Sequence, residues 1–159
     1  MPFNYDELLD DLNLKILDVL GKDSSVSFVE VAKQVNVSDA TVHNRVQRLI
    51  AAGIINKFTI SVNNSRLGYS HIAYLGINIE CGFVDEVTDN LCKVDEVLEV
   101  HEMHGLFDLF IKLRAKDLEQ LRHIVQNKIC KLQHILETEL MTVLKTEKEE
   151  SLALPSLKK

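Results

Sequence analysis

The stretch SFVEVAKQVNVSDATVHNRVQRLIAAG, Ser27 to Gly53, decides the fold of the first third of this chain. Phe28, Val31, Ala32 and Val35 recur at helical spacing, and so do Val42, Val46, Leu49 and Ile50, so each run presents one apolar stripe to a core. Ser27 with Glu30 three residues later makes a capping box, in which hydroxyl and carboxylate reciprocally satisfy free backbone N–H groups. Ser38 caps the later helix, and Gly53 can adopt the left-handed backbone that stops it. Only Asn36 and Val37 remain between the two helices, enough for a tight turn and nothing longer, which predicts a helix-turn-helix. Upstream, Leu9, Leu12, Ile16 and Leu20 form a further stripe, so three helices are predicted.

Past Gly53 the period changes. Phe58, Ile60 and Val62 fall on alternate positions, which predicts a linking strand over residues 54–62, and Asn63, Asn64, Ser65 and Gly68 mark a turn-rich linker. The pattern then predicts a strand from Ser70 to Ile79 and a helix carrying Val84, Val87, Leu91 and Val94. Strands at Val97–Met103 and Leu109–Ala115 flank a turn at Gly105, followed by a helix carrying Leu118, Leu121, Val125 and Leu132 and a strand from Leu136 to Leu144. The order βαββαβ closes into a four-stranded antiparallel sheet with both helices on one face, the ferredoxin-like arrangement. The fold class is therefore α+β. Residues 1–53 form a helix-turn-helix domain, 54–69 a linking strand and linker, 70–145 a ferredoxin-like domain, and 146–159 a frayed or peripheral tail.

The helix-free face of that sheet is informative. Ala73, Leu75, Ile77 and Ile79 fill one face of its first strand, yet Ile72 and Tyr74 are apolar on the other, and Phe110 points away from Leu109, Ile111 and Leu113. A face that met water would be polar. Its mixed character predicts packing against another copy of the chain.

Composition bounds what such a chain can do. At 159 residues, 46% hydrophobic and 26% charged, it can bury one or two small cores and is neither disordered nor fibrous in type. No window approaches the ~18 consecutive apolar residues of a spanning helix. The opening MPFNYDE lacks the basic flank and apolar core of a signal peptide, so the reading is a cytoplasmic protein with no membrane partner. Cys81, Cys92 and Cys130 are odd in number and lack Cys-x-x-Cys spacing, and they read as reduced, core-packed residues. The formal charge is −6, so contact with nucleic acid requires a local basic face. Residues 32–62 supply one, setting Lys33, Arg45, Arg48 and Lys57 against Asp39 alone.

With Val42, Val46, Leu49 and Ile50 facing the core, the third helix leaves Ser38, Asp39, Ala40, Thr41, His43, Asn44, Arg45, Gln47 and Arg48 for double-stranded DNA. Recognition helices present their N-terminal residues to base edges. Asn44 and Gln47 have the paired donor and acceptor that suit adenine, and His43 suits a guanine acceptor or a phosphate. Arg45 and Arg48 suit phosphates, with Arg45 alternatively pairing with an acid of a neighbouring helix; Thr41 either joins the site or completes the cap. His101 and His104 are three apart on a predicted strand and do not make the helical His-x-x-x-His metal pair. Asp108, after the turn at Gly105, either caps backbone N–H groups or binds a ligand amine. The chain has no phosphate-binding glycine loop, Gly-x-Ser-x-Gly or convincing carboxylate pair, so no catalytic residue, metal or cofactor is assigned.

Ser38, Val42, Arg45, Val46 and Leu49 with Gly53-Ile54-Ile55, the opening Leu9 to Leu17, the turn His104-Gly105-Leu106-Phe107-Asp108 and the segment Ile135 to Val143 resemble the Lrp/AsnC, or feast/famine, family of transcription factors. The resemblance implies a winged-type helix-turn-helix domain, a ferredoxin-like RAM domain and a sequence-specific regulator rather than an enzyme. It further implies a homodimer formed through the sheets and the linking strand, assembled into tetramers or octamers. A small effector, usually an amino acid, would bind where dimers meet, at His104, Gly105, Leu106, Phe107 and Asp108 with Leu136, Thr138 and Leu140. The chain departs from the family pattern at Asn13, usually Asp, at Leu106, where many amino-acid-binding members have an acid, and at Leu140, where they have a second threonine. That lining favours an apolar amino acid or a less polar metabolite. Two alternatives share the architecture: an enzyme resembling sirohaem decarboxylases, with His71, His101, His104 and Arg114 as candidates, and an architectural protein that wraps DNA.

Overall fold

The structure, a computed structural model, describes residues 8–149; the expectations for MPFNYDE and for the tail over residues 150–159 lie outside the described residues. The described residues divide into two compact units, residues 8–61 with 148–149, and Val62–Glu147.

The first unit holds α1 (Asp11–Lys22), α2 (Phe28–Val35) and α3 (Asp39–Ala51). Each starts on a side-chain cap. Asp10 accepts the Asn13 N–H at 2.8 Å, Ser27 Oγ the Glu30 N–H at 3.2 Å, and Ser38 Oγ the Thr41 N–H at 3.2 Å. The Glu30 carboxylate turns to Lys33 Nζ at 3.3 Å, so the box at α2 is closed from the serine side. The turn is a Schellman motif on Asn36, whose φ of 56° is left-handed: Val37 N–H reaches Ala32 O at 3.0 Å and Asn36 N–H reaches Lys33 O at 3.3 Å. Gly53, at φ 71°, ends α3 the same way, with Ile54 N–H on Leu49 O at 2.9 Å. Ile16, Leu20, Val31, Ala32, Val42 and Val46 form the core, and Phe28, Val35 and Ile55 pack against it.

In this unit Leu9 and Ile50 depart from the buried stripes that periodicity predicts. Ile50 is 39% exposed, because it lies roughly 80° around α3 from Val42. Leu9 is also exposed; it precedes the Asp10 cap, where helical spacing does not apply, and Leu8 and Leu14 are buried instead.

The second unit, Val62–Glu147, carries β1 (His71–Ile79), α4 (Val84–Leu91), β2 (Val97–Glu102), β3 (Leu109–Ala115), α5 (Leu118–His123) and β4 (Ile135–Thr142). The sheet order is β2-β3-β1-β4, antiparallel throughout. α5 runs on as a π-helical stretch, Ile124–Ile129. The wider turn places Ile124 and Ile129, five apart, on one fully buried face. Ala73, Leu75, Ile77 and Ile79 of β1 and Leu109, Ile111, Leu113 and Ala115 of β3 pack with Val87, Leu91, Leu121 and Ile124.

The linking strand over residues 54–62 does not form within the single chain. Among the described residues no segment pairs with it, and a strand exists only through hydrogen bonds to a neighbour. Phe58, Ile60 and Val62 are exposed, Ile60 at 81%. The cysteines also differ from expectation. Cys81, Cys92 and Cys130 are all exposed, because they fall in the loop after β1 and at helix C-termini rather than on buried stripes. No described helix is long and apolar enough to cross a membrane.

Candidate functional site

The exposed side of α3 is built by its core side. Val42, Val46 and Leu49 are fully buried, and this turns Asp39, Ala40, His43, Asn44, Gln47 and Arg48 outward over about half the helix circumference. The other three predicted contacts are engaged within the unit. Ser38 Oγ lies 2.8 Å from Thr41 Oγ1 while accepting the Thr41 N–H, so both hydroxyls belong to the cap. Arg45 is half-buried and its guanidinium pairs with Asp10. Partial burial acts to raise the Asp10 pKa, but the Asn13 N–H and the Arg45 guanidinium outweigh it and hold the carboxyl below the usual carboxylate range.

These pairs also change the local charge. Asp10 and Glu30, which lie outside residues 32–62, neutralise Arg45 and Lys33, so of the four cations in that span Arg48 and Lys57 are without an acidic partner among the described residues. The start of α3 is concave. Phe28 and Val29 of α2, with Asp39, Ala40, His43 and Asn44, line an open groove of about 450 Å³. The Phe28 ring meets His43 edge-on at 6.0 Å and 69°. Sequence reasoning missed Phe28 and Val29. The available signal was Val29, an apolar residue one position out of phase with the α2 stripe, and it is 52% exposed.

In the second unit the turn Met103–Asp108 is held by backbone and aromatic contacts. Asp108 Oδ2 accepts the Ile79 N–H at 2.7 Å, its own N–H reaches Ile77 O at 3.0 Å, and its carbonyl accepts the Met103 N–H at 2.8 Å. Of the two sequence readings, the carboxylate thus fulfils the capping one. Phe107 lies over Gly76, where an added Cβ would come within 2.6 Å of the ring. Phe107 stands 6.3 Å from Phe110, which stacks on Tyr74 at 5.4 Å. His104, Gly105 and Leu106 are exposed, Leu106 at 87%.

On β4, Thr138 pairs with Ile77 and Leu140 with Leu75, so both point to the helix-bearing face, whereas Phe107 covers the opposite face at Gly76. Leu136 falls where the register shifts opposite Asn78 and Ile79 and is exposed. A single chain therefore does not gather the turn and the β4 residues into one pocket. On the helix-free face Lys112 is buried and donates to Glu99 at 3.1 Å, with His101 at 3.4 Å. His71 pairs with Ala115 on the helix-bearing face, while Arg114 and His101 lie on the other and His104 in the turn, so the four residues of the enzyme alternative do not converge.

Comparison with known proteins places these units. Residues 9–50 match an AsnC-type helix-turn-helix domain and residues 72–153 an Lrp/AsnC ligand binding domain. The HTH-type transcriptional regulator FL11 of Pyrococcus furiosus is 36% identical over 142 residues, covering 89% of this chain and 93% of that protein. Among solved structures, E. coli AsnC superposes with a TM-score of 0.85 at 31% identity, over 90% of this chain and 97% of its own. A Neisseria meningitidis regulator, NMB0573, solved in complex with L-Met, superposes at 0.86 with 22% identity, over 90% and 94%.

Proposed function

The chain belongs to the Lrp/AsnC family of transcriptional regulators, and from that premise we propose that it reads DNA through Asp39, Ala40, His43, Asn44, Gln47 and Arg48 of α3 while oligomerising and sensing a metabolite through its second unit. It is a DNA-binding regulator and not an enzyme. The observation that carries the residue assignment is the exposed, polar half of α3, with Arg45 drawn back to Asp10. Asn44 and Gln47 read base edges, and Arg48 holds a phosphate.

One such unit with few phosphate contacts binds only in the nonspecific range, roughly 10⁻⁴ to 10⁻⁶ M, so specificity calls for joined copies. We therefore propose a homodimer that builds tetramers or octamers. The apolar alternation Phe58, Ile60 and Val62 and the aromatic surface of Tyr74, Phe107 and Phe110 support it, since both suit burial against a second copy. The functional division follows: residues 1–53 bind DNA, 54–69 link, and 70–145 assemble and sense.

The effector in this reading is an apolar amino acid, taken between copies by the turn at Gly105 and Leu106 together with Leu136, Thr138 and Leu140. The exposed Leu106 and Leu140 favour an apolar side chain, and L-Met, the ligand of the Neisseria regulator, is one of that class.

Selection of a bound duplex from a random pool, followed by titration, tests the DNA assignment. Asn44→Ala and Gln47→Ala should each relax preference at one base position by about 1–3 kcal/mol. Variants that select the same sequence with unchanged affinity would place the reading head elsewhere.

A further inference from the structure

The groove at the start of α3 is not accounted for by the polar residues that face DNA. Its walls are Phe28, Val29, Asp39, Ala40, His43 and Asn44. Phe28, Val29 and Ala40 make it mostly apolar, and Val29, a lining residue that is half exposed, stands on a different helix from the reading residues. No lysine or arginine lines it, and the Asp39 carboxylate in its wall accepts the Ala40 N–H at 2.9 Å. An anionic phosphate is therefore a poor occupant. A neutral, apolar group on a base edge is a good one. In the major groove the only such group is the C5-methyl of thymine, and it lies beside the adenine edge that an amide such as Asn44 suits.

We propose that this groove is a thymine-methyl subsite and that Val29, on α2, determines base preference together with Ala40. The proposal rests on the reading that α3 enters the major groove.

The test uses the full-length protein and a duplex selected from a random pool. Each thymine in turn is replaced by deoxyuracil, which removes the methyl and leaves every hydrogen-bonding group in place, and affinity is read by fluorescence anisotropy. The wild type should lose about three- to ten-fold at one thymine, the value of one buried methyl. Val29→Ser, checked for folding by circular dichroism, should bind the thymine and uracil forms of that position alike while keeping its preferences elsewhere. Val29→Ile should keep the discrimination. Equal wild-type affinity for thymine and uracil at every position overturns the subsite, and so does undiminished discrimination in Val29→Ser. A wild type that selects no sequence at all overturns the DNA reading along with it, which separates the two failures.

Discussion

Arg45 and Arg48 stand three residues apart on one helix and have different roles because of where Asp10 sits. Asp10 caps α1 with one oxygen and pairs with Arg45 through the other, so Arg45 ties the first helix to the third, while Arg48 faces outward without an acidic partner among the described residues. Arg48→Ala should flatten the log–log dependence of DNA affinity on salt by about 0.9. Arg45→Ala should leave that slope alone and lower stability by about 0.5–1 kcal/mol, as expected for a partly exposed pair. The depressed Asp10 pKa sets the pH sense. Its contribution is complete above the unfolded value near 3.8 and is lost as pH falls through the lower folded value. Thermal melts at pH 7 and pH 3 should show the full Arg45→Ala deficit at the first and a smaller one at the second; equal deficits at both would contradict the ion pair.

At the level of elements, the turn between β2 and β3 depends on a side chain that the sequence left open between two roles. Asp108 accepts the N–H of Ile79, a buried residue at the register shift of β1 against β4, and so joins the turn to the central strand. Asp108→Ala would leave that N–H without its acceptor and should cost about 1–3 kcal/mol. Asp108→Asn keeps a carbonyl oxygen and should recover most of it. Calorimetric titration of the twenty amino acids separates positioning from contact: if Asp108 only holds the turn, Asp108→Asn binds the effector as the wild type does. Loss of the amine-dependent heat in a stable Asp108→Asn would return the carboxylate to the ligand site. The aromatic turn residue Phe107 has a comparable dependence on Gly76, which alone leaves room for its ring.

On the scale of the whole molecule, two features remain unfinished in one copy. Phe58 to Val62 alternate apolar and polar as a strand does but join no strand ladder among the described residues, and the helix-free sheet face carries Ile72, Tyr74 and Phe110 half-buried. Light scattering at micromolar concentration should report at least a dimer without DNA or effector. Ile60→Asp, which places a charge in the apolar alternation, should lower the mass or demand higher concentration for assembly. A strictly monomeric wild type would remove the oligomer from the proposal.

Local chemistry made the helix-turn-helix and the βαββαβ order legible from sequence. Caps, left-handed residues and hydrophobic period act within a few residues, as at Ser38, Asn36 and Gly53. Residue order alone also separated the buried face of α3 at Val42, Val46 and Leu49 from its polar one. What only the tertiary structure decided were contacts between segments distant in sequence. It brought Asp10 to Arg45 across 35 positions, Asp108 to Ile79 across 29, and Val29 of α2 into the groove at the start of α3. It also withheld a partner from the linking strand, because strand pairing depends on a neighbour that alternation can announce but cannot supply.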